Sequence, residues 1–160
     1  MESALNTCHC NRTLTLYHNS HLDTKVFLNQ TLCSQSAFRR GPHQKIVAFT
    51  YYGSKKSKDK HIRNLYIDTY FQGIDTIAKT MSEFYPGWVM RLYHHIDVND
   101  PLMKILCKIA CTNPVIDICD VKNLPRSNLI QATKIHPSMW RFLPVLDPQV
   151  RKCFENDIIN

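Results

Sequence analysis

Apolar positions are crowded into one part of the chain. Between Lys45 and Val150 they come in dense runs, whereas residues 1–44 are rich in Ser, Thr, Asn, His and Arg and show no sustained periodicity. Lys45–Tyr52 is a continuous apolar run (Ile46, Val47, Ala48, Phe49), the pattern of a strand covered on both faces. Over residues 60–84, Ile67, Phe71, Ile74, Ala78 and Met81 recur at spacings of three and four. Asp68, Gln72, Asp75, Lys79 and Ser82 form the opposite face, so an amphipathic helix is predicted. Pro86-Gly87 closes it. A second strand is predicted over Trp88–Ile96. Asp100 as N-cap and Pro101 at the first helical position then start a second helix. Leu102, Ile105, Leu106 and Ile109 are its expected inward stripe, Asn113-Pro114 stops it, and a third strand follows at Val115–Val121.

Strands alternating with helices imply parallel pairing. In such sheets ligands bind beyond the carboxyl ends of the strands, at Thr50–Gly53, His95–Asp97 and Asp120–Lys122 in this chain. The expected organisation is a polar tail or stem over 1–44, an α/β half-domain over 45–150, and a divergent tail over 151–160.

Composition narrows the chemistry. Only four glycines are present, so neither the Gly-x-Gly-x-x-Gly nor the Gly-x-x-x-x-Gly-Lys phosphate cradle is available. The formal net charge is +7, which favours anionic partners. Its densest basic run, Lys55-Lys56-Ser57-Lys58, lacks the interleaved aromatics of single-strand binders, and no nucleic-acid partner is expected. Seven cysteines leave at least one outside any intrachain pairing. Cys8-His9-Cys10 lacks the ligand spacing of a zinc site, and Cys107 and Cys111, four apart on a helix, read as packing. Asn11 and Asn29 head glycosylation sequons, but residues 1–30 hold no apolar signal-like segment, and no apolar stretch of about 18 residues occurs. Asp117 and Asp120 should point to opposite faces of their strand, as should His94 and His95. Arg141 lies among large apolar residues and calls for an anionic partner, with Asp147 a structural option.

Four blocks taken together carry a resemblance: Lys45-Ile-Val-Ala-Phe-Thr-Tyr-Tyr-Gly53, Tyr85-Pro-Gly-Trp-Val-Met-Arg-Leu-Tyr93, Ile118-Cys-Asp-Val121 and the run Met139–Val150. In that order they resemble a poorly characterised animal family of the nucleotide-diphospho-sugar transferase superfamily, glycosyltransferases of the GT-A type. The resemblance implies a partial Rossmann-like, three-layer parallel sheet, the first half of a GT-A-type domain, with a disordered N-terminal tail. It implies a nucleoside-diphosphate sugar as ligand, with Thr50, Tyr51, Tyr52 and Gly53 touching the nucleotide. Asp120 would approach the base or ribose, and Arg141 the phosphates. It also implies a Golgi or ER lumenal location, which suits Asn11 and Asn29; a genuine lack of signal or anchor would instead imply the cytoplasm.

The departure lies at the C-terminus, where residues 151–160 lack the Asp-x-Asp motif that in the complete family domain holds a divalent cation such as manganese. A truncated, catalytically incomplete form is therefore expected, with no metal ligands of its own. A non-catalytic nucleotide- or protein-binding module is the alternative. One consequence is that the first strand would be left as an open apolar edge, prone to association or in need of a partner chain to cover it.

Overall fold

The computed structural model describes residues 8, 10, 31–52, 60–124 and 131–155, with the backbone alone at 60–67 and 154–155. Its centre is a four-stranded, all-parallel sheet in the order β3-β2-β1-β4. The strands are β1 Gln44–Tyr51, β2 Trp88–His94, β3 Ile116–Asp120 and β4 Val150–Glu155. Helices α1 (Gln35–Arg39), α2 (Lys60–Phe84) and α3 (Pro101–Thr112) and two three-residue-per-turn helices, η1 (Ala132–Lys134) and η2 (Pro137–Leu146), complete it. The layout is α/β with an all-parallel sheet, consistent with a Rossmann-like arrangement, and the predicted elements from β1 to β3 all form.

Side-chain alternation sorts the core into two layers. Val47, Phe49 and Tyr51 of β1, Met90 and Leu92 of β2, and Ile116 and Ile118 of β3 face α2 and α3. Ile46, Ala48, Tyr93 and Cys119 face the segment around α1 and the helix η2. Helix α2 buries Phe71, Ile74, Ala78 and Met81 as expected. Helix α3 is turned from its expected orientation: Met103, Leu106 and Ala110 are buried, while Ile105 is 40% exposed. Asp100 caps α3 by accepting from the Leu102 amide at 2.9 Å. Gly87, at φ 77°, makes the turn into β2 in a conformation that favours glycine.

Two expectations are corrected. Residues 1–44 are not simply a tail: Thr31 and Leu32 are fully buried, and Gln44 begins β1. Residues 151–155, expected as tail, are built into the sheet. They continue β4, which pairs with β1 from Gln44↔Val150 and, past a bulge, from Lys45↔Lys152 to Ala48↔Glu155. The edge of β1 is therefore occupied. Arg151 and Lys152 made this segment read as tail, yet charged residues are what an edge strand tolerates.

A buried ion pair explains the polar composition of the N-terminal segment. Arg91 projects from the middle of β2 with no exposed side-chain surface, and its Nη1 donates to Asp147 Oδ2 at 2.6 Å. Its Nη2 donates to Gln44 Oε1 at 3.0 Å. Asp147 also accepts from Thr31 Oγ1 (3.2 Å), the Leu32 amide (2.8 Å) and the Gln149 amide (2.9 Å). Burial alone would weaken the Arg91 charge, but Tyr93 and the Asp147 carboxylate outweigh it and hold its pKa above the ordinary arginine value. Beside it, the buried Asp117 carboxylate accepts from Arg40 Nε at 2.7 Å and Nη2 at 3.1 Å. Arg91 and Asp117 are register partners on β2 and β3, so one polar seam crosses this face of the sheet. Asp147 thus pairs with Arg91 rather than Arg141.

Three disulfides lock the layers: Cys8–Cys107, Cys10–Cys111 and Cys33–Cys119. Cys107 and Cys111 lie one turn apart on α3 and hold neighbouring cysteines of the N-terminal segment, so their spacing serves cross-linking as well as packing. Cys33–Cys119 pins that segment to β3. Persistent disulfides belong to oxidising compartments. Among the described residues no helix is long and apolar enough to cross a membrane. The disulfides fit a lumenal or secreted location.

Replacing one member of the buried pair, Arg91→Met or Asp147→Asn, is expected to cost about 3–5 kcal/mol by leaving an unpaired buried group. The double replacement Arg91→Met/Asp147→Leu should cost less than the sum. Denaturant unfolding of the three variants checks this, and strictly additive losses would contradict it. Non-reducing peptide mapping should return the three cysteine pairs named above. Removing Cys33–Cys119 should cost about 2–5 kcal/mol.

Candidate functional site

The strand order supplies the geometry of a site. From β1 the chain steps outward to β2 and β3, then returns past η1 and η2 to add β4 on the other side of β1. Strand order thus reverses at β1, and ligands of open α/β sheets bind outside the carboxyl ends of the strands at such a point.

The residues at that end divide between the two faces of the sheet. On the η2 face, Tyr52 follows β1 and is 53% exposed; its ring meets His136 edge-on, with centroids 6.3 Å apart. His95, exposed beyond β2, stacks on Trp140 with centroids 6.2 Å apart and planes 21° from parallel. Trp140 is itself buried and fixed by its indole N–H, which donates to the Ala132 carbonyl at 2.9 Å. Arg141 is half-buried, its guanidinium carbon 5.6 Å from the Phe142 ring centroid. Thr50 is half-buried, and its carbonyl accepts from the Tyr70 hydroxyl at 2.7 Å.

On the α2/α3 face, Tyr51 is buried against Tyr70 and Phe71, at 5.1 and 5.0 Å between centroids. It is a core ring and not an open nucleotide contact. Asp120 bends into the turn after β3, accepting from the Lys122 amide (3.0 Å) and Asn123 Nδ2 (2.7 Å). Lys122 in turn makes an ion pair with Asp97, joining the loops after β3 and β2. His94 sits between these loops, 0% exposed. Its Nδ1 accepts from the Ile96 amide at 3.1 Å, which leaves the proton of the neutral ring on Nε2. That Nε2 has no partner. Burial pushes the His94 imidazole down to about 4, against the opposing pull of the Asp120 charge.

Of the expected site residues, Thr50, Tyr52 and Arg141 therefore share the η2 side of the sheet. Tyr51 and Asp120 lie on the other. The expectation that Tyr51, Asp120 and Arg141 ring one pocket fails because successive strand residues alternate faces. Gly53, Asn11 and Asn29 lie outside the described residues. The stacked pair His95–Trp140 was not foreseen; it unites residues of β2's exit and η2, and no local pattern joins them. Asp117 and Asp120 do diverge, as do His94 and His95. A cleft of about 540 Å³ opens at the opposite, amino ends of the strands, lined among others by Arg40, Lys45, Tyr85 and Trp88. It lies away from the strand-order reversal, and its Arg40 is already committed to Asp117.

Among the described residues no group of three or more His, Cys, Asp or Glu side chains is placed to hold a metal ion. The cation implied by the family resemblance thus finds no ligand set among them, and no chemical step is assigned through it.

The fold and these residues define an α/β protein with a parallel sheet, cross-linked by disulfides and bearing an aromatic and basic surface at the carboxyl ends of its strands. No family model, no curated protein and no solved structure matches the chain.

Because His94 stays neutral in the fold down to about pH 4 while an unfolded histidine protonates near 6.5, protons favour the unfolded chain between those values. Stability is expected to be full above pH 6.5 and to fall as pH drops toward 4, by up to about 3 kcal/mol from this residue. His94→Gln should flatten that part of the curve in pH-dependent denaturation. An unchanged slope would refute the assignment.

Proposed function

We propose that the chain binds a nucleoside-diphosphate sugar at the carboxyl ends of its strands, as a glycosyltransferase-like protein of the Golgi or ER lumen. The reading is supported chiefly by the reversal of strand order at β1, the kind of point at which open α/β sheets take ligands, beside aromatic and cationic groups. In it, Tyr52 and the His95 face stacked on Trp140 offer flat surfaces to a base or sugar ring. Arg141 supplies positive charge to the diphosphate and is suited to bidentate phosphate binding. Asp120, on the other face of the sheet and held in its own turn, takes no part in this contact. Thr50, on the same side of the sheet as Tyr52, would line the nucleotide side; Gly53, also implied by the resemblance, lies outside the described residues. Three disulfides agree with a lumenal setting.

The reading covers binding and not turnover. A non-catalytic module holding a nucleotide or protein is the second reading, favoured by the lack of a metal-donor cluster among the described residues.

Calorimetric titration with uridine and guanosine diphosphate sugars, with and without manganese, separates the two. Binding that requires manganese supports the transferase-like reading, and metal-independent binding supports the module. Tyr52→Ala and Arg141→Ala should each weaken either form by about tenfold. Absence of any nucleotide-sugar binding by the folded chain sinks both nucleotide readings.

A further inference from the structure

Helix η2 carries a feature that nucleotide binding does not use. With three residues per turn, side chains three apart eclipse one another. Trp140 and Leu143 form its buried line. Met139, Phe142 and Val145 form an outward one, 48%, 36% and 65% exposed, extended by Leu146 at 58% and, before the helix, Ile135 at 37%. These five are half of the ten exposed large hydrophobic residues among those described, gathered within one twelve-residue stretch, residues 135–146. Scattered exposed apolar residues need no explanation, but a continuous ridge about 20 Å long does.

The charge around the ridge is of one sign. Lys134 stands exposed before its first turn, and Arg151 stands exposed beyond its last. Between Val121 and Phe154 the only acidic residue is Asp147, buried in its pair with Arg91. An apolar strip with a cation at each end and no exposed carboxylate in its own segment matches the interface of an anionic bilayer. It does not match itself, because two copies packed ridge to ridge would bring like charges together at both ends.

We propose that the η2 ridge is a peripheral membrane contact: Met139, Phe142, Val145 and Leu146 enter the interfacial layer of an anionic lipid surface, and Lys134 and Arg151 engage its headgroups. The contact depends on this surface alone and stands apart from the nucleotide reading.

Flotation of the full chain with vesicles tests it. Binding to phosphatidylglycerol-containing vesicles is expected, weakened by salt and much weaker on pure phosphatidylcholine. Phe142→Ser/Val145→Ser should reduce it on the order of tenfold. Lys134→Glu and Arg151→Glu should each reduce it about fivefold. Thermal unfolding midpoints verify that the variants fold, and Met139→Ser repeats the test should the double variant unfold. Failure of the folded wild-type chain to bind anionic vesicles overturns the proposal, as does binding unaffected by the ridge substitutions. Wild-type dimers that the ridge variants dissociate would assign the ridge to self-association instead, and saturable binding only to an acidic protein would assign it to a protein partner.

Discussion

An arginine in the middle of a parallel strand dictates much of this molecule. Arg91 has no exposed side-chain surface, and a charge so placed is tolerable only with a carboxylate and further hydrogen bonds around it. Asp147 supplies the carboxylate from the far end of η2, and Gln44 supplies the second acceptor from the start of β1. Their positions fix the rest. Gln44 also donates to the Ala37 and Gly41 carbonyls, each at 2.7 Å, so the approach to β1 is set. Asp147 also holds Thr31 and Leu32 below and the Gln149 amide beyond, so the N-terminal segment and the lead-in to β4 converge on one side chain.

The disulfides act on a different scale. The polar seam orders groups within one face of the sheet, whereas the cross-links join segments about a hundred residues apart, with separations of 99, 101 and 86. Cross-links over long loops restrict the unfolded chain most in the chain-entropy account. They also hold both outer layers. Cys8 and Cys10 grip α3 on one side of the sheet, and Cys33 reaches β3 on the other. A small domain with a modest core gains disproportionately from such staples.

At the carboxyl end of the sheet the same strand alternation that builds the core divides the chemistry. Tyr51 and His94 turn toward the helical layer and are buried. Tyr52 and His95, one residue later in each case, turn outward and meet the η1–η2 segment. The cationic and aromatic surface on that side is continuous with the apolar ridge of η2. The proposed nucleotide crevice and the proposed lipid contact are therefore neighbouring uses of one returning segment, which exists in its observed position because Asp147 must reach Arg91.

The sequence by itself determined the elements from β1 to β3, their parallel order and the capped start of α3. Each of these follows from local periodicity or from a residue's own backbone preference, as with Asp100-Pro101 and Pro86-Gly87. It also determined that Asp117 and Asp120 diverge, since alternation is a property of the strand alone. Tertiary structure decided the rest. The polar stretch around Thr31–Arg40 became interior because its donors and acceptors match Arg91 and Asp117, a pairing with no local signature. Arg151-Lys152 became strand because the free edge of β1 accepts backbone hydrogen bonds whatever the side chains. Cys107 and Cys111 became cross-links because their partners lie about a hundred residues away. His95 found Trp140 only when the chain returned across the sheet. Contacts between distant segments depend on how the layers close, and composition or spacing carries no record of that closure.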